Sequence, residues 1–250
     1  MMNDNPILTL LIITATFLAA GIVKGVTGMG LPTLAMGVLG ALLSPLAAAG
    51  LLLVPSFVTN VWQLLAGPRF AGLVRRLWAM MLAILLGTLI GTAFLAQGRG
   101  DVSTLALGAL LIAYAAYTLL GRPLRVPSGM EPVLSPLVGL VTGLLAGATG
   151  VFVIPAVPYL QALGLEKDDL VQALGLSFTV STLALAAGLG LHGAFPASDL
   201  LLSGLAVLPA LAGMALGQLI RRRISPARFR RWFLVCLLLL GAEMLSRSLW

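Results

Sequence analysis

The stretch "GIVKGVTGMGLPTLAMG", residues 21–37, sets Lys24 inside one of the most apolar parts of the chain and follows it with four glycines and a proline. A lysine in the middle of a membrane helix costs about 2.5–3.5 kcal/mol on insertion scales, so it faces a cavity or a partner. Gly28 and Gly30 permit a break in the helix. Pro32 then suits the first position of a new helix, where its fixed φ fits and its missing N–H has no partner to lose. Irregular backbone at membrane depth survives only when buried in protein or lining a water-filled cavity. The stretch reads as a broken membrane helix that carries a charge.

The rest of the 250-residue chain agrees: it is 60% hydrophobic and 9% charged, with a mean hydropathy of +1.08. Those values place it among all-α polytopic membrane proteins. Alternating ten-residue strands, the mark of a barrel, are absent. Apolar runs of the length a crossing helix needs fall at 7–26, 46–66, 77–97, 102–120, 133–148, 170–191, 200–220 and 232–249, eight in all. No Lys or Arg precedes Lys24, so the first run reads as a retained span and not a cleaved signal. Two shorter pieces, 31–43 and 153–165, are each roughly 20 Å long as helix, too short to cross, and are expected to be re-entrant.

The net charge of +7 belongs to membrane topology and not to nucleic acid, because the arginines sit in short connections between apolar runs. If the two short pieces return the chain to the side it came from, twelve basic residues face the cytoplasm: Arg69, Arg75, Arg76, Arg122, Arg125, Lys167, Arg221, Arg222, Arg223, Arg228, Arg230 and Arg231. Arg99 and Arg247 face out, and both termini are expected outside a bacterial inner membrane. One cysteine, Cys236, and one histidine, His192, cannot build a disulfide or a metal cluster, so neither metal nor cofactor is expected.

The opening stretch has a second copy. "GIVKGVTGMGLP" (21–32) matches "GLLAGATGVFVIP" (143–155), with Gly21 on Gly143, Gly25 on Gly147, Thr27 on Thr149, Gly28 on Gly150 and, after a one-residue slip, Pro32 on Pro155. Each copy precedes a short apolar piece and three long spans. Residues 1–124, with hairpin 7–43, and 125–250, with hairpin 133–165, are therefore expected to be two inverted-topology repeats, as in many secondary transporters. Pro32 and Pro155 are expected to open half-helices near the bilayer middle, whose unpaired N–H groups and positive dipole ends favour an anion.

Candidate ligands for a small anion follow from that picture: Lys24, Thr27, Gly28, Met29 and Gly30 at the first break, and Thr149, Gly150 and Val151 at the second. Ser56, Thr59, Asn60 and Gln63 share one helical face after the first hairpin. Gln172, Ser177, Thr179, Ser181 and Thr182 follow the second. Of these, Asn60, Gln63, Ser177 and Ser181 complete the expected substrate set, as neutral donors to sulfonate or carboxylate oxygens. The rival use of such groups is interhelical hydrogen bonding, and the rival use of the glycines is close packing, for which Gly87 with Gly91 and Gly213 with Gly217 have the same spacing. His192 is expected at an outer loop and Glu243 paired with Arg247 four residues on. Trp62, Trp78, Trp232 and Trp250 fall near span ends, as interface anchors do.

On the paired motifs at 21–32 and 143–155 and on "LLVPSFVTNVWQLLAG" the chain resembles the sulfite exporter TauE/SafE family, also called the toluenesulfonate uptake permease family, over nearly its whole length. The resemblance implies a non-enzymatic transporter of sulfite, organosulfonates, sulfoacetate or related anions, coupled to a proton or sodium ion, with the lipid bilayer and a small anion as its partners. Two departures make the half-sites chemically unequal: Ala146 stands where the first copy has Lys24, and Phe152 where many relatives carry glycine. An anion channel with the same site, and an intramembrane lipid-modifying enzyme, are the alternatives; the enzyme requires cavity carboxylates that the apolar runs lack.

Overall fold

In the computed structural model the described residues are 6–97, 100–121, 125–194 and 197–249, and among them the chain forms eleven α-helices and no strand. They are α1 (Pro6–Thr27), α2 (Leu31–Leu42), α3 (Pro45–Leu65), α4 (Phe70–Ala96), α5 (Gly100–Leu120), α6 (Glu131–Thr149), α7 (Ala156–Ala162), α8 (Lys167–Leu191), α9 (Ala197–Leu205), α10 (Val207–Arg221) and α11 (Pro226–Leu249). Seven stretches are long and apolar enough to cross a bilayer: α1, α3, α4, α5, α6, α8 and the α9–α10 run from Leu200 to Arg221. These coincide with seven of the eight expected spans. The eighth, 232–249, lies on α11, which is 24 residues long but opens with Arg228, Arg230 and Arg231. Arg99, Arg122 and Trp250, on which parts of the topology and anchor expectations rested, lie outside the described residues.

The exterior is that of a membrane protein. On α4, Leu82, Leu86 and Ile90 recur every fourth residue and are about half exposed or more, a stripe that lipid accepts and water penalises. Trp62, Trp78 and Trp232 are exposed as well. The chain is a multi-pass membrane protein.

Packing divides the chain into two compact units, which do not follow the repeat boundary at 124. The first comprises Met1–Pro55, Gly100–Leu120 and Pro196–Trp250; the second comprises Ser56–Arg99 and Gly121–Phe195. In the first unit α1 runs along α10. A Cβ added at Gly25 would strike the Met214 carbonyl oxygen and lie 2.9 Å from the Gly217 Cα, and one at Gly217 would strike the Ile22 carbonyl oxygen. In the second unit α6 runs along α4 in the same way, Gly143 and Gly147 meeting Gly87 and Gly91 backbone to backbone. Without a hydrophobic driving force between helices in lipid, such close backbone approach supplies the van der Waals contact that joins them.

Within the first unit α5 also packs on α11, and Pro55 lies inside the continuous helix α3. A proline removes the N–H that the carbonyl four residues earlier would accept, here that of Leu51. The Ser203 hydroxyl on α9 donates to this carbonyl at 2.8 Å and accepts the Val54 N–H at 3.1 Å. In the second unit Arg76 on α4 holds Glu131 at the start of α6 through two hydrogen bonds of 2.7 and 2.8 Å.

Candidate functional site

The break that joins α1 to α2 lies in the first unit. Lys24 is in the last turn of α1 and only 3% exposed. Its carbonyl accepts the Gly28 N–H at 2.7 Å, which closes the helix. Gly28 and Gly30 have φ of 81° and 97°, the left-handed region that side chains with a Cβ resist. Three residues suffice to turn the chain out of one helix and into the next.

Thr27 fastens that turn. Its hydroxyl accepts the Met29 N–H at 3.3 Å and has the Val23 and Met29 carbonyls, each at 2.8 Å, to donate to. Tyr114 on α5 donates its hydroxyl to the Met29 sulfur at 3.7 Å, and the ring of Phe233 on α11 packs over Gly30. Gly30 is the N-cap of α2, and Pro32 is the second helical residue, one later than expected.

An α-helix leaves its first N–H groups without intrahelical partners, which in α2 are those of Leu31 and Thr33, since Pro32 has none. The Thr33 hydroxyl in that same turn is fully buried and has no hydrogen-bond partner within the protein. Sequence reasoning passed over Thr33. Its signal was a hydroxyl one position after the helix-opening proline.

The second break lies in the second unit and repeats two of the three contacts of the fastening. The Thr149 hydroxyl donates to the Leu145 carbonyl at 2.6 Å and accepts the Val151 N–H at 3.3 Å, as Thr27 does with Val23 and Met29. Gly150, with φ of 71°, caps α6, and its N–H reaches the Ala146 carbonyl at 2.8 Å. Beyond that point the copies part. Where only three residues separate α1 from α2, residues 150–155 stay irregular, and the Ile154–Pro155 peptide is cis. Pro155 is the N-cap of α7 and not its first residue. The expected piece at 153–165 contributes only the seven residues of α7 as helix, Gly164 turning left-handed after it. Val151, Phe152 and Val153 are buried.

The remaining expected ligands also lie in the second unit, where the C-terminal half of α3 packs with α8. Asn60 donates its amide to the Thr182 hydroxyl at 3.4 Å, and Gln63 donates to the Val171 carbonyl at 2.7 Å. Gln172 is a clamp on the α3–α4 connection: its amide nitrogen donates to the Leu64 and Gly67 carbonyls, both at 2.7 Å, and its oxygen accepts the Arg69 N–H at 3.0 Å. Ser177 and Ser181 are fully buried with no partner within the protein, and so is Ser56. Of the twelve residues named from the sequence, Lys24, Thr27, Gly28, Met29 and Gly30 thus gather at the first break. Asn60, Gln63, Thr149, Gly150, Val151, Ser177 and Ser181 belong to the second unit.

The other expected roles are placed as follows. His192 caps α8 at an exposed position. Glu243 pairs with Arg247 on partly exposed side chains. Among the described residues no group of three or more His, Cys, Asp or Glu is placed to hold a metal ion.

Residues 13–244 match the family model described as sulfite exporter TauE/SafE. No curated protein matches the chain, and no solved structure does.

Proposed function

The chain belongs to the sulfite exporter TauE/SafE family, a family of membrane transporters of sulfur-containing anions, and from that premise we propose that it is a secondary active transporter and not an enzyme. The cargo is a small organic or sulfur-containing anion: sulfite, an organosulfonate, sulfoacetate or a carboxylate. The observation that carries this reading is Lys24, a lysine buried in the last turn of α1, four residues before the left-handed Gly28 of the turn that leads into α2. A bound anion offsets the cost of that charge. The N–H groups of Leu31 and Thr33, the Thr33 hydroxyl and the dipole of the 12-residue α2 supply hydrogen bonds to a tetrahedral or planar oxyanion.

The remaining parts of the reading follow family architecture. Alternating access, as in other inverted-repeat carriers, would expose the site to one side of the membrane and then the other. The arginine-rich connection at 221–231 faces the cytoplasm of a bacterial inner membrane, which leaves both termini outside.

The test is a melting-temperature screen of the purified protein in potassium salts of sulfite, sulfonates, sulfoacetate and small carboxylates, repeated on Lys24→Ala. A ligand at a hundred times its Kd stabilises by about 2.7 kcal/mol, a rise of about 5–11 °C for a chain of this size. The variant should lose that rise. Equal stabilisation of both proteins removes Lys24 from the site, and large unitary currents from reconstituted protein would replace a carrier with a channel.

A further inference from the structure

Of the six arginines at 221–231, two are set differently from the other four. We propose that Arg221 and Arg230 are recognition residues for the cargo anion: together with Lys24 they set the positive field at the first break, and that field selects a doubly charged anion over a singly charged one. The proposal rests on the transporter reading above and narrows its substrate class.

Helical register separates the arginines. On α10 the residues that meet α1 are Ala210, Gly213, Met214 and Gly217, and Arg221 continues that row one turn beyond Gly217. On α11 the inward row is the buried set Phe233, Leu234, Leu237 and Met244, and Arg230 heads it, three residues before Phe233 and seven before Leu237. Arg228 instead heads the exposed row of Trp232, Val235 and Leu239, and Arg231 is turned about 100° round the helix from Arg230. Arg222 and Arg223 lie past the last residue of α10.

Both rows end at the break. α1 and α10 run parallel, since Gly21 meets Ala210 and Met214 while Gly25 meets Met214 and Gly217. Four residues on, Arg221 falls level with the turn that follows α1, about 6 Å along the axis. On the α11 side, the Phe233 ring packs over Gly30, 3.2 Å from the place of a Cβ there, and Arg230 is one helical turn nearer the start of α11. The charge of Arg230 is felt at the buried Tyr114 hydroxyl, the group that donates to the Met29 sulfur at 3.7 Å. All of these residues belong to the first unit.

Membrane topology does not account for this placement, because the positive-inside bias counts arginines near a span end without regard to helix face. Nor does the unit neutralise them. Residues 5–55, 102–120 and 200–242, nearly the whole of the first unit, contain no Asp or Glu. Among the described residues the arginines in ion pairs are Arg69, Arg76 and Arg247. Like charges gathered beside low-dielectric protein focus their field and concentrate the opposite charge. The attraction scales with the charge of the ligand, so a second negative charge on the anion gains as much again as the first.

The experiment titrates the purified full chain with potassium sulfoacetate and with potassium sulfoacetamide, the amide of the same shape with one charge fewer, and reads the melting temperature at constant ionic strength. For wild type the sulfoacetate midpoint should be lower by about tenfold or more. Arg221→Gln with Arg230→Gln should narrow that ratio to about threefold or less. Arg222→Gln with Arg228→Gln, which removes the same charge from the same two helix ends, should leave the ratio at the wild-type value. Raising the ionic strength from about 0.1 M to about 1 M shortens the screening length from about 10 Å to about 3 Å, and should narrow the wild-type ratio as the inward Gln pair does. An equal ratio in the two Gln pairs overturns the proposal, as does a wild type that binds both anions alike. Should the inward pair not fold, the wild-type ratio decides alone, and a ratio that does not move with ionic strength refutes the field. Stabilisation that is lost in Lys24→Ala but keeps its ratio in the inward Gln pair refutes the arginines and leaves the anion site standing. Absence of any stabilisation of wild type by these anions or by sulfite refutes the anion reading and this proposal with it.

Discussion

Gly147→Ala tests the idea that glycine faces, and not side-chain burial, hold the second unit together. The new Cβ would lie 2.6 Å from the Thr92 nitrogen and 2.8 Å from the Gly91 carbonyl carbon, and it would collide with the Thr88 carbonyl oxygen. Ordinary contact begins near 3.4 Å, so α4 and α6 must part by about 0.8 Å or more, and a gap of that size forfeits about a quarter to a half of each neighbouring contact's dispersion energy. Overpacking of this kind costs about 1–3 kcal/mol. For a chain of this size that is about 2–12 °C of melting temperature. The control is Gly72→Ala on α4, the helix that α6 packs against, where a Cβ meets nothing within 4 Å and helix propensity gains up to about 1 kcal/mol. Differential scanning fluorimetry in detergent separates the two. If Gly147→Ala melts with Gly72→Ala or above it, the helices are not held by this contact and the packing argument is wrong.

Ser203→Ala should lower stability by about 1 kcal/mol, two interhelical hydrogen bonds at roughly 0.6 each. Pro55→Ala in the same background should recover part of the loss, since the restored N–H satisfies the Leu51 carbonyl; a double-mutant cycle with no coupling would sever Ser203 from the proline. Gln172→Leu should destabilise by about 1–3 kcal/mol, because it removes the partner of the buried Leu64 carbonyl and of the part-buried groups at Gly67 and Arg69. It should leave the anion midpoint of the melting screen in place, and a shifted midpoint would move Gln172 from clamp to ligand.

Both breaks were legible because their causes are local. A glycine that must take positive φ and a threonine that must cap its own turn are visible as letters, which is why Gly28, Gly30 and Gly150 lie where the motif put them. The Glu243–Arg247 pair was legible for the same reason, being one helical turn. What could not be read was non-local. Gly25 and Gly217 lie far apart in the sequence, and nothing around either says that they meet. Gln172 looked like a ligand because the sequence shows an amide but not the three backbone groups it satisfies. The short α7 escaped notice as well, since "VFVIPAVPYLQAL" is apolar enough for helix throughout while the backbone before Ala156 stays irregular. Thr33 and Ser56 are among the buried hydroxyls that lack a partner within the protein, a property of the packed state.

The interleaving of the two units bears on how the chain is made. The ribosome delivers all of the second unit by residue 195, whereas α1 must wait for α10, roughly 190 residues later, before its glycine face is covered. At about 5–20 residues per second, that leaves the lysine-bearing helix in the bilayer for on the order of ten seconds or more without its partner. An early helix with a buried charge and an open glycine face is a natural client for insertion factors. Truncations after residue 195 should therefore yield chains whose second unit resists protease while α1 is degraded.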